Sequence, residues 1–140
     1  MKLPWHSDKA KMAGGQAGGN YASEALVESR VIPGVTFTIA KMSFARRVEL
    51  VRRVRELARR TEFLAASGDA GDQMDAVLLG AEIERMYVAW GVKAVSGLRV
   101  DSREAGPELL AEAGPEELFR EALAAVRRET GLSEEERKNS

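Results

Sequence analysis

The sequence contains no cysteine, one histidine and few aromatic residues, which make up 6% of the chain. Without cysteine, the chain forms no disulfide and offers no thiolate for catalysis or for binding zinc or an iron–sulfur cluster. A single histidine, His6, excludes any site that requires several imidazoles. No apolar run approaches the roughly 20 residues that span a bilayer, and the N-terminal residues lack the apolar centre of a secretory signal. We therefore expect a cytoplasmic protein with no membrane partner.

The numbers of basic and acidic residues are nearly equal. The formal net charge is −1, from 21 basic and 22 acidic residues, so the bulk charge indicates no nucleic-acid partner. A chain of 140 residues with 44% hydrophobic content is typical of a single globular domain. We divide it into a flexible, glycine-rich leader (residues 1–30), one helical domain with a small sheet (31–131) and a polar C-terminal tail (132–140).

The leader contains a glycine-rich run from Gly14 to Gly19 that superficially resembles a phosphate-binding loop. No Gly-Lys-Ser/Thr follows the run and no apolar strand precedes it, so a linker is the better interpretation. Ser23 to Glu28 could form at most one helical turn. We expect removal of residues 1–30 to leave the stability of the domain nearly unchanged.

Alternating apolar and threonine side chains at Val35–Ile39 predict a short strand. Ser43 is a candidate N-cap for a helix over 43–66, and we expect one apolar stripe of this helix to face the core: Phe44, Val48, Val51, Val54 or Leu57, Thr61 and Leu64. A second helix is expected from Asp72 to Trp90, ended by Gly91 in the C′ position.

The second helix carries two apolar stripes, so we place it at the centre of the fold. The first stripe contains Ala76, Leu79, Ile83, Met86, Tyr87 and Trp90, and the second contains Met74, Val77, Leu78, Ala81 and Val88. Gly80 in mid-helix costs about 1 kcal/mol against alanine, which a close crossing or a mild packing defect would explain.

Residues 92–100 predict either a hairpin around Ser96-Gly97 or one strand with a glycine bulge, paired with the Val35–Ile39 strand. Two Gly-Pro-Glu motifs follow, and Pro107 and Pro115 each suit the first position of a helix. The second of these helices is the longer and ends at Gly131. The predicted fold is α+β and predominantly α-helical: three main helices, one short helix and a two- or three-stranded sheet.

No pattern of catalytic or metal-ligating residues stands out. Asp69, Asp72 and Asp75 lack the alternate spacing, central glycine and glutamate of an EF-hand loop, so we interpret them as acids at a helix start. His6 lies beside Ser7 in the predicted leader, where no rigid triad would form. We predict no catalytic, metal or cofactor site and no enzymatic activity.

The strongest physical feature is the basic face of the first long helix: Arg46, Arg47, Arg52, Arg53, Arg55, Arg59 and Arg60. Three interpretations remain open for it. The face could be solvated, with Glu49–Arg53 and Glu56–Arg60 pairs; it could contact a client protein or the acidic C-terminal third of a chain; or it could bind nucleic-acid phosphates. Arg46, Arg53 and Arg60 are spaced by seven and lie nearly in line, so they are our candidate partner-binding residues.

The order of several segments resembles small helical proteins of the tail modules of tailed phages and prophages, among them tail assembly chaperones. The likeness covers about residues 31–139 and is carried by VTFTI at 35–39 before the arginine-rich helix, VAWG at 88–91, SGL at 96–98, GPEEL at 114–118 and GLSEEERKN at 131–139.

This resemblance implies a non-enzymatic cytoplasmic factor that holds the tape-measure or tail-tube protein during assembly and is absent from the finished virion. A minor virion protein, a phage-encoded adaptor and a homo-oligomer are alternatives within the same class. The alternative from a different class is a small nucleic-acid-associated protein that uses the arginine-rich helix 43–66.

Overall fold

A computed structural model describes residues 18–131. Strands β1 (Glu24–Glu28), β2 (Thr36–Ala40) and β3 (Val92–Ser96) form one antiparallel sheet in the order β1-β2-β3. Helices α1 (Phe44–Ala66) and α2 (Ala70–Gly91) are inserted between β2 and β3 as a helical hairpin. A short ladder of β4 (Arg99–Val100) and β5 (Arg103–Glu104) precedes helices α3 (Pro107–Ala113) and α4 (Glu116–Thr130). The predicted α+β fold with a small sheet is therefore confirmed.

Strand β1 corrects the N-terminal boundary of the domain. Residues 24–28 are not a helical turn in a leader; they pair along their whole length with β2, from Glu24–Ala40 to Glu28–Thr36. Alternation drives this pairing, since Ala25 and Val27 are half-buried while the residues between them are exposed. The rest of the predicted leader, residues 1–17, and the predicted tail, 132–140, lie outside the described residues.

A buried serine holds the turn between β1 and β2 against α4. The hydroxyl of Ser29 donates to the carboxylate of Glu121 at 2.5 Å and accepts the backbone N–H groups of Val31 and Ile32, each at 3.0 Å. Glu121 also accepts the backbone N–H of Arg30 at 2.6 Å. The first strand is thus tied to the last helix.

The core lies between the sheet and helices α1, α2 and α4. Phe37 and Ile39 are fully buried from β2, as predicted for one face of that strand. Helix α4 contributes Leu118, Ala122, Leu123 and Val126 to the core. It ends, as predicted, at Gly131, which is in the left-handed conformation with φ +75°. Helix α2 contacts both long helices, α3 and the sheet, which confirms its central position.

Helix α1 begins after Ser43, whose side chain accepts the N–H of Arg46 as predicted for an N-cap. The predicted core stripe is correct at Val54, which is buried, and at Val51 and Leu57, which pack partly buried against the core, but it is wrong at its N-terminal end. The deeply buried residues are Leu50 and Val54, whereas Phe44 is 81% exposed and Val48 is 47% exposed. Leu50 and Val54 belong to the core cluster formed with residues of β2, α2 and α4, and this tertiary packing selects the buried face of α1.

Two glycines of α2 behave differently from prediction. Nothing lies within 4 Å of where a Cβ on Gly80 would stand, so no close crossing explains that residue. At Gly91 a Cβ would overlap the Val126 side chain of α4. Gly91 is the last helical residue, not a left-handed cap, and its role is to permit close packing of α2 on α4.

The segment after β3 is neither predicted alternative. Strand β3 pairs with β2, as expected, and the chain then turns at Gly97, where φ is +84° and a Cβ would meet the Gly34 carbonyl oxygen. The following hairpin is β4–β5, with a two-residue turn at Asp101 (φ 51°) and Ser102 (φ 69°). Two positive φ angles are what a type I′ turn requires.

Candidate protein-binding groove

One side of α2 remains open between α1 and the β5–α3 segment, and we call this surface the α2 groove. Two cavities follow it: one of about 670 Å³ over Met86, Ala89 and Trp90, and one of about 630 Å³ over Leu78 and Leu79. Glu82 and Arg85 line both, so the cavities adjoin. The groove therefore follows α2 from Asp75 to Trp90, about 22 Å at 1.5 Å per residue.

The walls of the groove come from both neighbouring helices. Leu64 and Arg60 of α1 form one wall beside Leu78 and Leu79. Pro107 and Leu109 of α3, with Arg103 of β5, form the other wall beside Met86 and Trp90. The surface is thus an apolar floor with charged borders, which is the chemistry of a site that buries an amphipathic segment.

An ion pair joins α2 to α3 at the middle of the groove. The guanidinium of Arg85 donates to Glu112 at 2.7 Å, and this hydrogen bond, followed by charge attraction, raises the pKa of Arg85. Both side chains are largely exposed, so the pair contributes little to the free energy of unfolding. The pair joins the two helices at the surface, while the buried side chain of Leu110 packs α3 into the core.

The three candidate arginines lie along the side of α1 that borders α2. The Cζ atom of Arg46 is 4.2 Å from the centroid of the Trp90 ring, and that of Arg53 is 5.4 Å from it. Arg60 lines the groove beside Leu64. The spacing of seven therefore does place all three on one line; two of them hold Trp90 by cation–π contacts, and their partner binding stays a prediction.

Arg52 and Arg53 of α1 both bind a carboxylate within the chain. Arg53 donates to Glu49 at 2.8 Å, and Arg52 donates to the same carboxylate. These two hydrogen bonds lower the pKa of Glu49, with the larger effect from Arg53. The predicted Glu49–Arg53 pair is therefore present, whereas Glu56 and Arg60 form no ion pair in the described part of the chain.

The acidic C-terminal third does not neutralise the arginine face within residues 18–131. The contact found there is a hydrogen bond of 2.8 Å from Arg47 Nε to the backbone carbonyl of Thr130. A cation at the C-terminal end of α4 is also favoured by the helix dipole. Glu116 of α4 pairs instead with Arg120, which it shares with Glu84 of α2. The two carboxylates raise the pKa of Arg120, chiefly through the Glu84 hydrogen bond.

Large apolar side chains are exposed on the far half of the α1–α2 hairpin. Phe63 of α1 is 79% exposed, and Met74, Val77 and Leu78 of α2 are 59–66% exposed. The predicted second stripe of α2 is therefore largely outside the core, because the hairpin extends past the sheet and α4. An exposed apolar group of this kind is typical of a protein-binding surface.

The other candidate sites have simpler outcomes. Asp69 is the N-cap of α2 and accepts the N–H of Asp72 at 2.9 Å, as an acid at a helix start does. Within residues 18–131 no three acidic or histidine side chains are placed to hold a metal ion. His6 and the Gly14–Gly19 run fall outside the described residues except for Gly18 and Gly19.

Sequence reasoning missed several groove residues, among them Ala89 on the floor and Pro107, Leu109 and Arg103 on one wall. The Gly-Pro-Glu motif predicted a helix start at 107 but not its position beside α2, which depends on tertiary packing. Comparison of the chain with protein-family models, curated proteins and solved structures gave no match. Over residues 18–131, none of the helices combines the length and apolar character of a membrane span.

Proposed function

We propose that this protein is a non-enzymatic interaction protein that binds a client during phage-type tail assembly, as a tail assembly chaperone does. The observation that carries the proposal is the α2 groove, an apolar floor of Met86, Ala89 and Trp90 between charged borders. The proposed clients, a tape-measure or tail-tube protein, come from the resemblance over residues 31–139, and the proposed compartment is the host cytoplasm.

The physical argument is the accessible apolar surface. Burying it against a client would stabilise a complex by about 25 cal/mol for each Å² removed from water, before the costs of association. The groove and the exposed apolar residues at the hairpin end share Leu78. A client segment could therefore bury both surfaces at once.

The experiment is binding of the purified full chain to the tail-tube and tape-measure proteins of the genome that encodes it. We expect one of them to co-elute with the chain in gel filtration at a fixed ratio and to aggregate less in its presence. An unrelated protein of similar size is the control for nonspecific protection of the client against aggregation. A genome without tail genes, or no complex with either protein at tens of micromolar, would refute the proposal.

A second candidate, nucleic-acid association, is favoured by one observation on the solvent side of α1. Arg55 and Arg59 are exposed there without an ion pair among the described residues, and Phe44 and Phe63 are exposed near the two ends of the helix. Guanidinium groups bind phosphates, and exposed aromatic rings stack on unpaired bases.

This candidate is tested by titrating labelled single-stranded and duplex DNA at several salt concentrations. If it is right, the double variant Arg55→Glu/Arg59→Glu loses binding, and each lost phosphate contact reduces the slope against salt by about one. Binding that is weak in the wild type, or unchanged in the variant, eliminates it.

A further inference from the structure

The dimensions of the α2 groove match an α-helix. Its open length of about 22 Å accommodates about 15 helical residues, or four turns. Its floor presents apolar side chains at both ends, Leu78 and Leu79 at one end and Met86 and Trp90 at the other, with the charged Glu82 and Arg85 between them. Helices that dock in such grooves insert apolar side chains from one face at a spacing of three and four residues.

Trp90 is already positioned to receive an apolar side chain. Arg46 and Arg53 contact its ring from the α1 side, while the ring lines the groove together with Met86 and Leu109. A ring held in place before binding loses less conformational freedom when a partner arrives. Trp90 is therefore the expected anchor point of the groove.

The charges that line the groove are mainly negative. Five carboxylates line it, from Asp75, Glu82, Glu104, Glu108 and Glu112, against three guanidiniums, from Arg60, Arg85 and Arg103. Because Arg85 and Glu112 neutralise each other at 2.7 Å, four carboxylates remain against two guanidiniums.

These remaining charges are unequally distributed. On the β5–α3 wall the two carboxylates of Glu104 and Glu108 outnumber the one guanidinium of Arg103. Asp75 and Glu82 lie on α2 itself, whereas the α1 wall contributes Arg60. A partner with positive charges toward α3 gains electrostatic complementarity, and one with negative charges there is repelled. A helix whose basic flank faces α3 is therefore favoured electrostatically in the groove.

We infer that the α2 groove binds an amphipathic α-helix of about four turns whose apolar stripe covers Met86, Ala89 and Trp90 and whose flank facing α3 carries lysine or arginine. The inference rests on the proposed function in one respect, because the helix belongs to the client. It names the class of partner for a surface that is distinct from the arginine-rich solvent face of α1.

The test uses two labelled synthetic peptides of 16 residues with the same leucine stripe, one flanked by lysines and one flanked by glutamates. Binding is measured by fluorescence anisotropy with the full chain. We expect the lysine peptide to bind at least tenfold more tightly, and raised salt to narrow the difference. Equal binding of the two peptides, or tighter binding of the glutamate peptide, overturns the inference.

Two matched pairs of variants locate the binding. Ala89→Arg fills the groove floor, and Ala124→Arg adds the same side chain to an exposed position of α4 outside the groove. Glu82→Lys/Glu108→Lys reverses the groove charge, and Glu56→Lys/Glu62→Lys makes the same net change on exposed α1 positions.

We expect Ala89→Arg to weaken binding of the lysine peptide at least tenfold. In Glu82→Lys/Glu108→Lys, the glutamate peptide should bind more tightly than the lysine peptide. The two control variants should retain the wild-type preference. Circular dichroism melts confirm that all four variants fold, since every substituted side chain is exposed. If Ala89→Arg and Ala124→Arg bind the lysine peptide equally, the groove is not the site.

The same variants separate this inference from the proposed function. If a tail protein binds wild type and Ala89→Arg equally well, the client uses another surface, and the groove inference fails while the proposed function stands. If no tail protein binds but the lysine peptide occupies the groove with the expected variant effects, the proposed function fails and the partner class stands.

Discussion

Alanine substitutions at the two glycines of α2 should have opposite effects on stability. Gly91→Ala places a methyl group against Val126, with Cγ2 of that residue 2.7 Å away. Ordinary contact needs 3.4–4 Å, and Val126 is fully buried in the core, so the side chain has no room to withdraw. Overpacking of this kind costs about 1–3 kcal/mol.

Gly80→Ala is the matched control in the same helix. No atom lies within 4 Å of the added Cβ, so the gain in helix propensity remains, about 0.8–1 kcal/mol in a helix interior. The two variants add the same group to the same helix, and we expect their free energies of unfolding to differ by about 2–4 kcal/mol.

Urea denaturation followed by circular dichroism measures both values. The slope of the free energy of unfolding against urea concentration should be the same in all variants, so that shifts in the unfolding midpoint report changes in stability. The double variant Gly91→Ala/Val126→Ala removes the colliding methyl groups, so it should be at least 1 kcal/mol less destabilised than the sum of its single variants. The argument is refuted if Gly91→Ala stabilises the protein as much as Gly80→Ala does.

Three further predictions concern the core and the N-terminal strand. Ile83→Ala should destabilise the fold by about 2–5 kcal/mol, because this side chain is 3% exposed. Leu79→Ala, at a half-buried groove position, should cost only about 1 kcal/mol. Equal losses of stability in thermal melts of the two variants would contradict the burial pattern. Ser29→Ala should cost about 2 kcal/mol in urea denaturation, because it leaves two backbone N–H groups without their partner and removes one of the two hydrogen bonds to Glu121. A neutral result would mean that the serine hydroxyl does not stabilise this turn. Contrary to the expectation from the sequence, removal of residues 1–30 should lower the melting temperature by several degrees relative to a chain that starts at residue 18, because it removes β1 from the sheet. Identical melting temperatures of the two chains would show that β1 adds no stability.

Local patterns predicted most elements because their signals are contained within a few residues. The strand at Val35–Ile39 followed from alternation, the start of α1 from Ser43 and the end of α4 from Gly131. Strand β1 carried the same kind of signal, with Ala25 and Val27 alternating with exposed residues. This signal was weaker in the sequence because one of the two inward positions is alanine. In addition, Leu26 on the opposite, exposed face is itself apolar and interrupts the alternation.

Tertiary packing decided what local patterns could not. Phe44 and Leu50 are both apolar residues of α1, and only tertiary packing selects Leu50 for the core. The line of Arg46, Arg53 and Arg60 was predictable from helical spacing, but their contacts with Trp90 and the groove required the α1–α2 pairing. The wall formed by Pro107 and Leu109 required the docking of α3.

The insertion of the α1–α2 hairpin between two adjacent strands makes its length independently adjustable. The chain leaves the sheet after β2 and returns at β3, where Val92 pairs with Ile39. The pairing of the two strands therefore does not depend on the length of the hairpin. Adding two turns to each helix in step would lengthen the groove by about 10 Å without moving a strand. Insertions and deletions at the hairpin end could therefore change the size of the segment that this fold accepts, while the core that stabilises it stays the same.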